Sequence, residues 1–276
     1  MLLEGKVAFV TGAARNVGKG IARRFAREGA HVVLNDVDAD AVSRLADEWE
    51  KEDLSVSTAA CDMSDAEAIT SAVKAAADEH GRLDVLVNNA VVLPEKGERE
   101  PFLKLPGQAW REFTSRNLDA LFFATQAAAR IMARQRSGSI ISISSNGAIM
   151  AHRRSIAYDS VKGALEAFTR AVAVDLGPWG VRVNAIRPIA VREVQPAGSD
   201  EAERDNRLGE MVPLGRIARP RDVAWAAVFL AADDGEYVTG QVITVDGGML
   251  EQSRPPQLEL GPVAGPEDSD LEDLGG

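Results

Sequence analysis

Three side chains suited to proton transfer at an oxygen stand near one another in this sequence: Tyr158, Lys162 four residues on, and Ser145 thirteen residues before the tyrosine. A phenol holds its proton up to a pKa of about 10. On a helix, a lysine at i+4 brings an ammonium one turn from the phenol and favours the phenolate. Lowering that pKa to neutrality would correspond to about 4 kcal/mol of differential interaction. Tyr158 would then serve as an acid or base near neutral pH, with Ser145 holding the oxygen on which it acts. The same spacing also occurs on ordinary amphipathic helices, so the pair takes its meaning from the elements that position it.

Those elements alternate. Strands are expected at 6–11 (KVAFVT), 31–35, 54–60, 83–88, 139–144, 181–186 and 241–245, and helices at 18–28, 39–51, 65–79, 108–135, 159–176 and 220–232. Strands apolar almost throughout, each followed by a helical pattern, predict βαβ units with right-handed crossovers. The fold class is α/β: a doubly wound Rossmann-type parallel sheet of about seven strands with helices on both faces. Residues 1–250 read as one domain. Residues 251–276, rich in Pro, Gly and acid, read as a largely disordered tail. The segments 91–107 and 189–212 break the rhythm with prolines and glycine, the second holding a charged helix-like piece. Both follow strands, so both should border the crevice where such sheets bind ligands.

Composition narrows the partners. Net charge is −11, of which the tail, with seven acids and one base, supplies −6. No basic stripe is present to neutralise phosphates, so nucleic acid is not an expected partner. The single cysteine, Cys61, excludes an intrachain disulfide and a cysteine metal cluster. His31, His80 and His152 are scattered and read as structural or surface residues. No apolar run reaches the roughly 18 residues of a membrane span. Glu4, Gly5 and Lys6 interrupt any signal-peptide pattern, so the cytoplasm is the expected compartment.

The first strand runs into Thr11-Gly12-Ala13-Ala14-Arg15-Asn16-Val17-Gly18, and a helix follows. Gly12 and Gly18 would let the backbone approach a pyrophosphate, with the free N–H groups of the helix start facing it. The second strand ends at Asn35-Asp36, about two dozen residues after Gly12, where a carboxylate can accept hydrogen bonds from ribose hydroxyls. Asp36 repels a 2′-phosphate and so favours NAD over NADP. Arg15 argues the other way if it pairs with that phosphate, and not at all if it is a surface charge or a partner of Asp36.

With these motifs in this order, residues 5–248 resemble the short-chain dehydrogenase/reductase family. TGAARNVG is similar to the family's cofactor loop, Cys61-Asp62-Met63 to its adenine-facing segment, and Asn88-Asn89-Ala90 to its NNAG motif. Asn117, Ser145, Tyr158 and Lys162 match its catalytic set, and Val183-Asn184-Ala185 with Pro188 its approach to the nicotinamide. The resemblance implies hydride transfer between a nicotinamide cofactor and a secondary alcohol or ketone. Tyr158 would exchange the proton, Ser145 would bind the substrate oxygen, and Asn117 would hold a water linked to Lys162. Lys162 would also lower the tyrosine pKa and bind the nicotinamide ribose. The cofactor contacts implied are Gly12, Arg15, Asn16, Val17, Gly18, Asp36, Asp62, Met63, Asn89, Tyr158, Lys162, Pro188 and Ile189. No metal is implied. A homo-oligomer, tetramer or dimer, would form through the long helices.

Three family glycines are replaced, by Asn16, Val91 and Ile189. Asn tolerates a left-handed backbone. Val and Ile do not, and they occupy space near the nicotinamide end. Either the neighbours shift to accommodate them, or nicotinamide binding is altered. Two further readings stay open: a non-catalytic dinucleotide-binding sensor, and a nucleotide-binding scaffold whose tail recruits a partner. Arg153 and Arg154 would meet an anionic substrate, or are simply solvated.

Overall fold

The computed structural model describes residues 1–92 and 100–253. Part of the 91–107 loop and residues 254–276 of the acidic tail therefore lie outside the described residues, and with them the reading of that tail as disordered.

Seven parallel strands form one sheet: β1 (Val7–Thr11), β2 (His31–Asn35), β3 (Val56–Thr58), β4 (Val85–Asn88), β5 (Gly138–Ile143), β6 (Val181–Pro188) and β7 (Val242–Val245), in the order β3-β2-β1-β4-β5-β6-β7. The chain reverses direction of growth between β1 and β4, which opens a crevice at their carboxyl ends. Helices α1 (Asn16–Arg27), α2 (Ala39–Glu50), α3 (Ala66–His80), α4 (Gly107–Gln135), α5 (Ile156–Leu176), α6 (Asp200–Gly209) and α7 (Pro220–Ala231) join them.

Strand alternation divides the core. Ala8, Val10, Val32 and Leu34 point to the face covered by α1, α2 and α7, with Ile21, Phe25, Trp49 and Val228 packed on them. Val7, Phe9, Val33 and Leu86 point to the other face, covered by Ile69 and Val73 of α3 and the alanine stripe of α4. The helical spacing 69, 73, 76, 77 on α3 is the i, i+3, i+4 pattern that such burial requires. On the first face α7 comes close enough to α1 that a Cβ at Gly20 would meet Pro220 Cβ at 2.5 Å.

Polar starts fix where the helices begin. Asp38 accepts from the Ala41 N–H, Asp65 from Glu67 and Ala68, and Ser199 from Ala202, each satisfying an orphan donor of the first turn. Asn16 and the start of α1 are different: Arg15 precedes it with no side-chain cap.

Candidate active site

The carboxyl edge of the sheet gathers the candidate residues. Gly12 follows β1, Asp36 follows β2, Asp62 and Met63 lie beyond β3, Asn89 follows β4 and Ser145 follows β5; Pro188 ends β6 and Ile189 comes next. Tyr158 and Lys162 sit in the first two turns of α5.

The loop after β1 is a backbone cradle. Gly12 takes φ 65°, and a Cβ there would lie 2.9 Å from Ala90 Cα. A Cβ at Gly18 would overlap the Gly12 carbonyl oxygen and approach Asn89 Nδ2 to 2.5 Å. Asn16 adopts φ 47°, so asparagine supplies the left-handed turn that a glycine usually provides. Its Nδ2 also donates to the Val191 carbonyl at 3.2 Å, tying the loop to the segment after β6. Asn89 closes the floor: its Nδ2 donates to the carbonyls of Thr11 at 2.9 Å and Gly12 at 3.1 Å. The Thr11 hydroxyl accepts the N–H groups of Asn89 and Ala90 at 3.0 and 3.1 Å. With no side chain capping α1, its first-turn N–H groups remain available to an anion. A cradle that a Cβ would fill and an uncapped helix start fit a dinucleotide pyrophosphate.

Asp36 is buried against this loop. Its Oδ2 accepts the Ala14 N–H at 3.1 Å and its Oδ1 the Asp38 N–H at 3.2 Å. Arg15 is exposed and has no ion-pair partner among the described residues, so its pairing with Asp36 is not found. Asp62 Oδ1 accepts from the Ser64 N–H and hydroxyl at 2.8 Å, and its Oδ2 is 3.5 Å from Arg116. Those hydrogen bonds and Arg116 hold its carboxyl below the usual range even though burial, the largest single influence, pushes the other way. Met63 is buried among the α3-side core residues.

Around the tyrosine the structure corrects one expectation. Burial pushes the Tyr158 phenol above its ordinary value; the nearby Ser145 hydroxyl pulls it down and the Asp159 carboxylate pushes it further up. Lys162 does not offset this. Its Nζ donates to the Ile143 carbonyl at 2.7 Å and lies over the Tyr158 ring, 5.7 Å from its centre. Full burial lowers the lysine itself to about 8. The ammonium thus spends its favourable field on a carbonyl and on its own desolvation.

Ser145 is buried, accepting the Gly147 N–H at 3.1 Å and donating to Asn146 Oδ1 at 3.2 Å. Asn117 clamps the strand of chain after β4: Oδ1 accepts the Val92 N–H at 2.9 Å, and Nδ2 donates to the carbonyls of Val92 at 3.0 Å and Phe113 at 2.9 Å. A cavity of about 20 Å³ lies between Asn117, Asn88, Val91 and Lys162. Asn88 Oδ1 is buried there without a partner among the described residues, while its Nδ2 donates to Thr125 at 3.0 Å. Asn88 and Thr11 are further contributors: both belong to motifs read from the sequence, the asparagine doublet and the loop after β1, without being among the expected contact residues.

Neither Val91 nor Ile189 takes a left-handed φ, so the backbone objection to these replacements disappears. Val91 packs against the cluster of Phe113, Ala157 and Val161, as Tyr158 does, and the Ile189 N–H donates to the Val245 carbonyl at 3.4 Å. The segment beyond is organised by α6, by a Val191–Ala218 bridge and by an Arg192–Asp205 ion pair at 3.4 Å. Arg153 and Arg154 are exposed. A second cavity, about 320 Å³, opens at the opposite, amino end of the sheet beside Lys6, Asp84 and Arg182, remote from every candidate residue.

A family model described as enoyl-(acyl carrier protein) reductase matches residues 12–250. The chain belongs to the short-chain dehydrogenase/reductase family. It is similar to L-rhamnose 1-dehydrogenase (NAD(P)(+)) of Azotobacter vinelandii, 36% identical over 91% of this chain and 98% of that protein. It is likewise similar to D-threitol dehydrogenase of Mycolicibacterium smegmatis, 34% identical over 89% of this chain and 93% of that one. Among solved structures it resembles a gluconate 5-dehydrogenase from Burkholderia cenocepacia in complex with NADP and tartrate. That chain has a TM-score of 0.81 and 29% identity, covering 91% of this chain and 97% of its own. As a short-chain dehydrogenase/reductase the chain is an NAD(P)-dependent oxidoreductase acting on CH–OH groups. No helix among the described residues is long and apolar enough to cross a membrane.

Proposed function

We propose that this short-chain dehydrogenase/reductase interconverts a secondary alcohol and a ketone with NAD(H) as preferred cofactor, using Asn117, Ser145, Tyr158 and Lys162. The observation that carries the reading is the Ser145 hydroxyl within hydrogen-bonding reach of the Tyr158 phenol, with the Nζ of buried Lys162 5.7 Å from the Tyr158 ring centre, at the carboxyl edge of the sheet beside the glycine cradle.

Gly12, Arg15, Asn16, Val17 and Gly18 would hold the pyrophosphate, Asp36 the adenosine ribose, Asp62 and Met63 the adenine, and Asn89 the floor. Tyr158, Lys162, Pro188 and Ile189 would meet the nicotinamide riboside. When bound, the nicotinamide supplies the hydride donor or acceptor. Ser145 fixes the substrate oxygen, and Tyr158 gives or takes the proton at that oxygen. Lys162 keeps a cation near the Tyr158 ring, where negative charge develops as the phenol gives up its proton. Asn117 acts by fixing Val92 and hence the wall of the small cavity. That cavity has room for about one water, which would satisfy Asn88 Oδ1 and connect Lys162 to further proton carriers.

NAD is favoured because Asp36 is held in place by loop N–H groups and no cation pairs with it among the described residues. Exposed Arg15 supports NADP as the second choice. Residues 1–250 are taken as one catalytic domain acting in the cytoplasm, with a homo-oligomer, tetramer or dimer, formed over α4 and α5, where Phe122, Val174 and Trp179 are exposed. The test is Tyr158→Phe against a panel of secondary alcohols and ketones. Turnover should fall about 10²- to 10⁴-fold while dinucleotide binding persists. Full activity in the variant would overturn the catalytic assignment, and wild-type binding without any turnover would favour the sensor reading.

A further inference from the structure

One histidine stands beside this machinery without belonging to it. His152 lies on the loop between Ser145 and α5, and Asp159 directly follows Tyr158. Asp159 holds His152 at two points: Oδ2 accepts its backbone N–H at 2.7 Å, and Oδ1 faces ring Nδ1 at 2.8 Å. The imidazole sits edge-on to the Tyr158 ring, centroids 6.3 Å apart. An ionised carboxylate only accepts hydrogen bonds, so this contact places the proton of the neutral imidazole on Nδ1 and leaves Nε2 as a lone-pair acceptor.

The local backbone is shaped for this arrangement. A Cβ at Gly147 would overlap Asp159 Oδ1 and lie 3.1 Å from His152 Nδ1 and Cε1. The same Gly147 donates its N–H to Ser145 Oγ. The loop that holds the catalytic serine therefore also seats the Nδ1 edge of the histidine. The side chain remains 44% accessible, and Nε2 has no partner among the described residues.

Resting on the alcohol–ketone reading above, we propose that His152 is a specificity-determining residue. Its Nε2 accepts a hydrogen bond from a second hydroxyl of the substrate, near the reacting carbon. The preferred substrates are then polyhydroxylated alcohols and their hydroxy-ketones. A substrate whose reacting oxygen sits on Tyr158 and Ser145 places its neighbouring carbons within reach of a ring beside the tyrosine. A site that hydrogen-bonds a substrate hydroxyl discriminates against the analogue lacking it. Because water reaches this half-open ring, the discrimination is about tenfold.

The experiment compares kcat/KM for butane-2,3-diol and butan-2-ol in wild type, His152→Ala and Asp159→Asn. Wild type should prefer the diol, and the ratio should fall about tenfold in His152→Ala. In Asp159→Asn the carboxamide N–H₂ would donate to Nδ1, shifting the ring proton to Nε2 and making it a donor. The diol preference should then fall while relative activity toward 3-methoxybutan-2-ol, whose ether oxygen only accepts, rises. Nitrogen-15 NMR of the three histidines should show the His152 ring protonated on Nδ1 in wild type and on Nε2 in Asp159→Asn. An unchanged diol ratio in His152→Ala, or a wild-type ring protonated on Nε2, would overturn this proposal alone. Wild type that turns over neither alcohol would overturn the alcohol–ketone reading and this proposal with it.

Discussion

The two ends of the crevice are built from different materials. At the β1–β2–β4 end, backbone meets backbone: Gly12 against Ala90, Gly18 against the Gly12 carbonyl, and Asn89 bonded to both Thr11 and Gly12. At the β5–β6 end, side chains hold the geometry: Ser145, Tyr158 and Lys162, with Val91 lining the small cavity beside Lys162. A backbone cradle has no rotamers with which to absorb an added atom, whereas a side-chain rim can repack. This difference explains why glycine was replaced without a left-handed backbone at 91 and 189 on the rim while 12 and 18 of the cradle retain it; Asn16, within the cradle loop, is accommodated by asparagine's own tolerance of a left-handed φ.

The sharpest way to break the comparison is Gly18→Ala. The added methyl overlaps a carbonyl that cannot retreat, so NADH binding should be lost and stability should fall by about 1–3 kcal/mol. Fluorescence titration and the urea midpoint read both; affinity within twofold of wild type would show that the cradle is not rigid.

Lys162→Met probes the other end and should separate stability from turnover. Burial depresses Lys162 from 10.5 to about 8, a cost of about 3 kcal/mol to the protonated fold at pH 7. Losing the hydrogen bond to Ile143 returns about 1 kcal/mol of that. The variant should gain about 2 kcal/mol at pH 7 while losing about 10³-fold in kcat. Between pH 8 and 10.5 the unfolded chain keeps a proton that the folded one has released, so wild-type stability rises with pH. The advantage of the variant should therefore shrink across that window in thermal melts; a gap that widens would contradict the burial argument.

Much of this was legible before any coordinates. All seven strands fall close to their expected ranges, and β1, β2, β4, β5 and β6 are the most legible because near-continuous burial leaves a strong mark in parallel sheets. The cradle glycines were legible because close backbone approach admits few other residues. The charged piece within 189–212 proved to be α6, whose polarity hides its period and whose start is marked mainly by Ser199. What spacing could not reveal was tertiary. Tyr158 and Lys162 do stand one turn apart on α5, but burial of the phenol, more than any neighbour, decides the direction of its pKa. Asn117 lies in α4, within the helix expected over 108–135, yet its bonding to Val92 depends on a loop 25 residues away. His152 and Asp159 looked unrelated because only the fold of the serine loop brings them together.

Smaller effects refine the rim. Ile189→Gly removes a bulky side chain beside the expected nicotinamide without relieving any left-handed backbone. NADH affinity should tighten about three- to tenfold, about 1 kcal/mol, and unchanged affinity would show that the neighbours already accommodate it. Asn16→Gly should matter least: the turn at φ 47° is kept, only the bond to Val191 is lost, and Kd should change by less than about threefold.

The most direct measurement is a paired fluorescence titration of the wild-type chain with NADH and NADPH. The account predicts saturable NADH binding at least about tenfold tighter than NADPH, reflecting an open cradle and the Asp36 carboxylate. Binding of neither nucleotide would mean that Val91 and Ile189 have closed the site, and would contradict the proposed function.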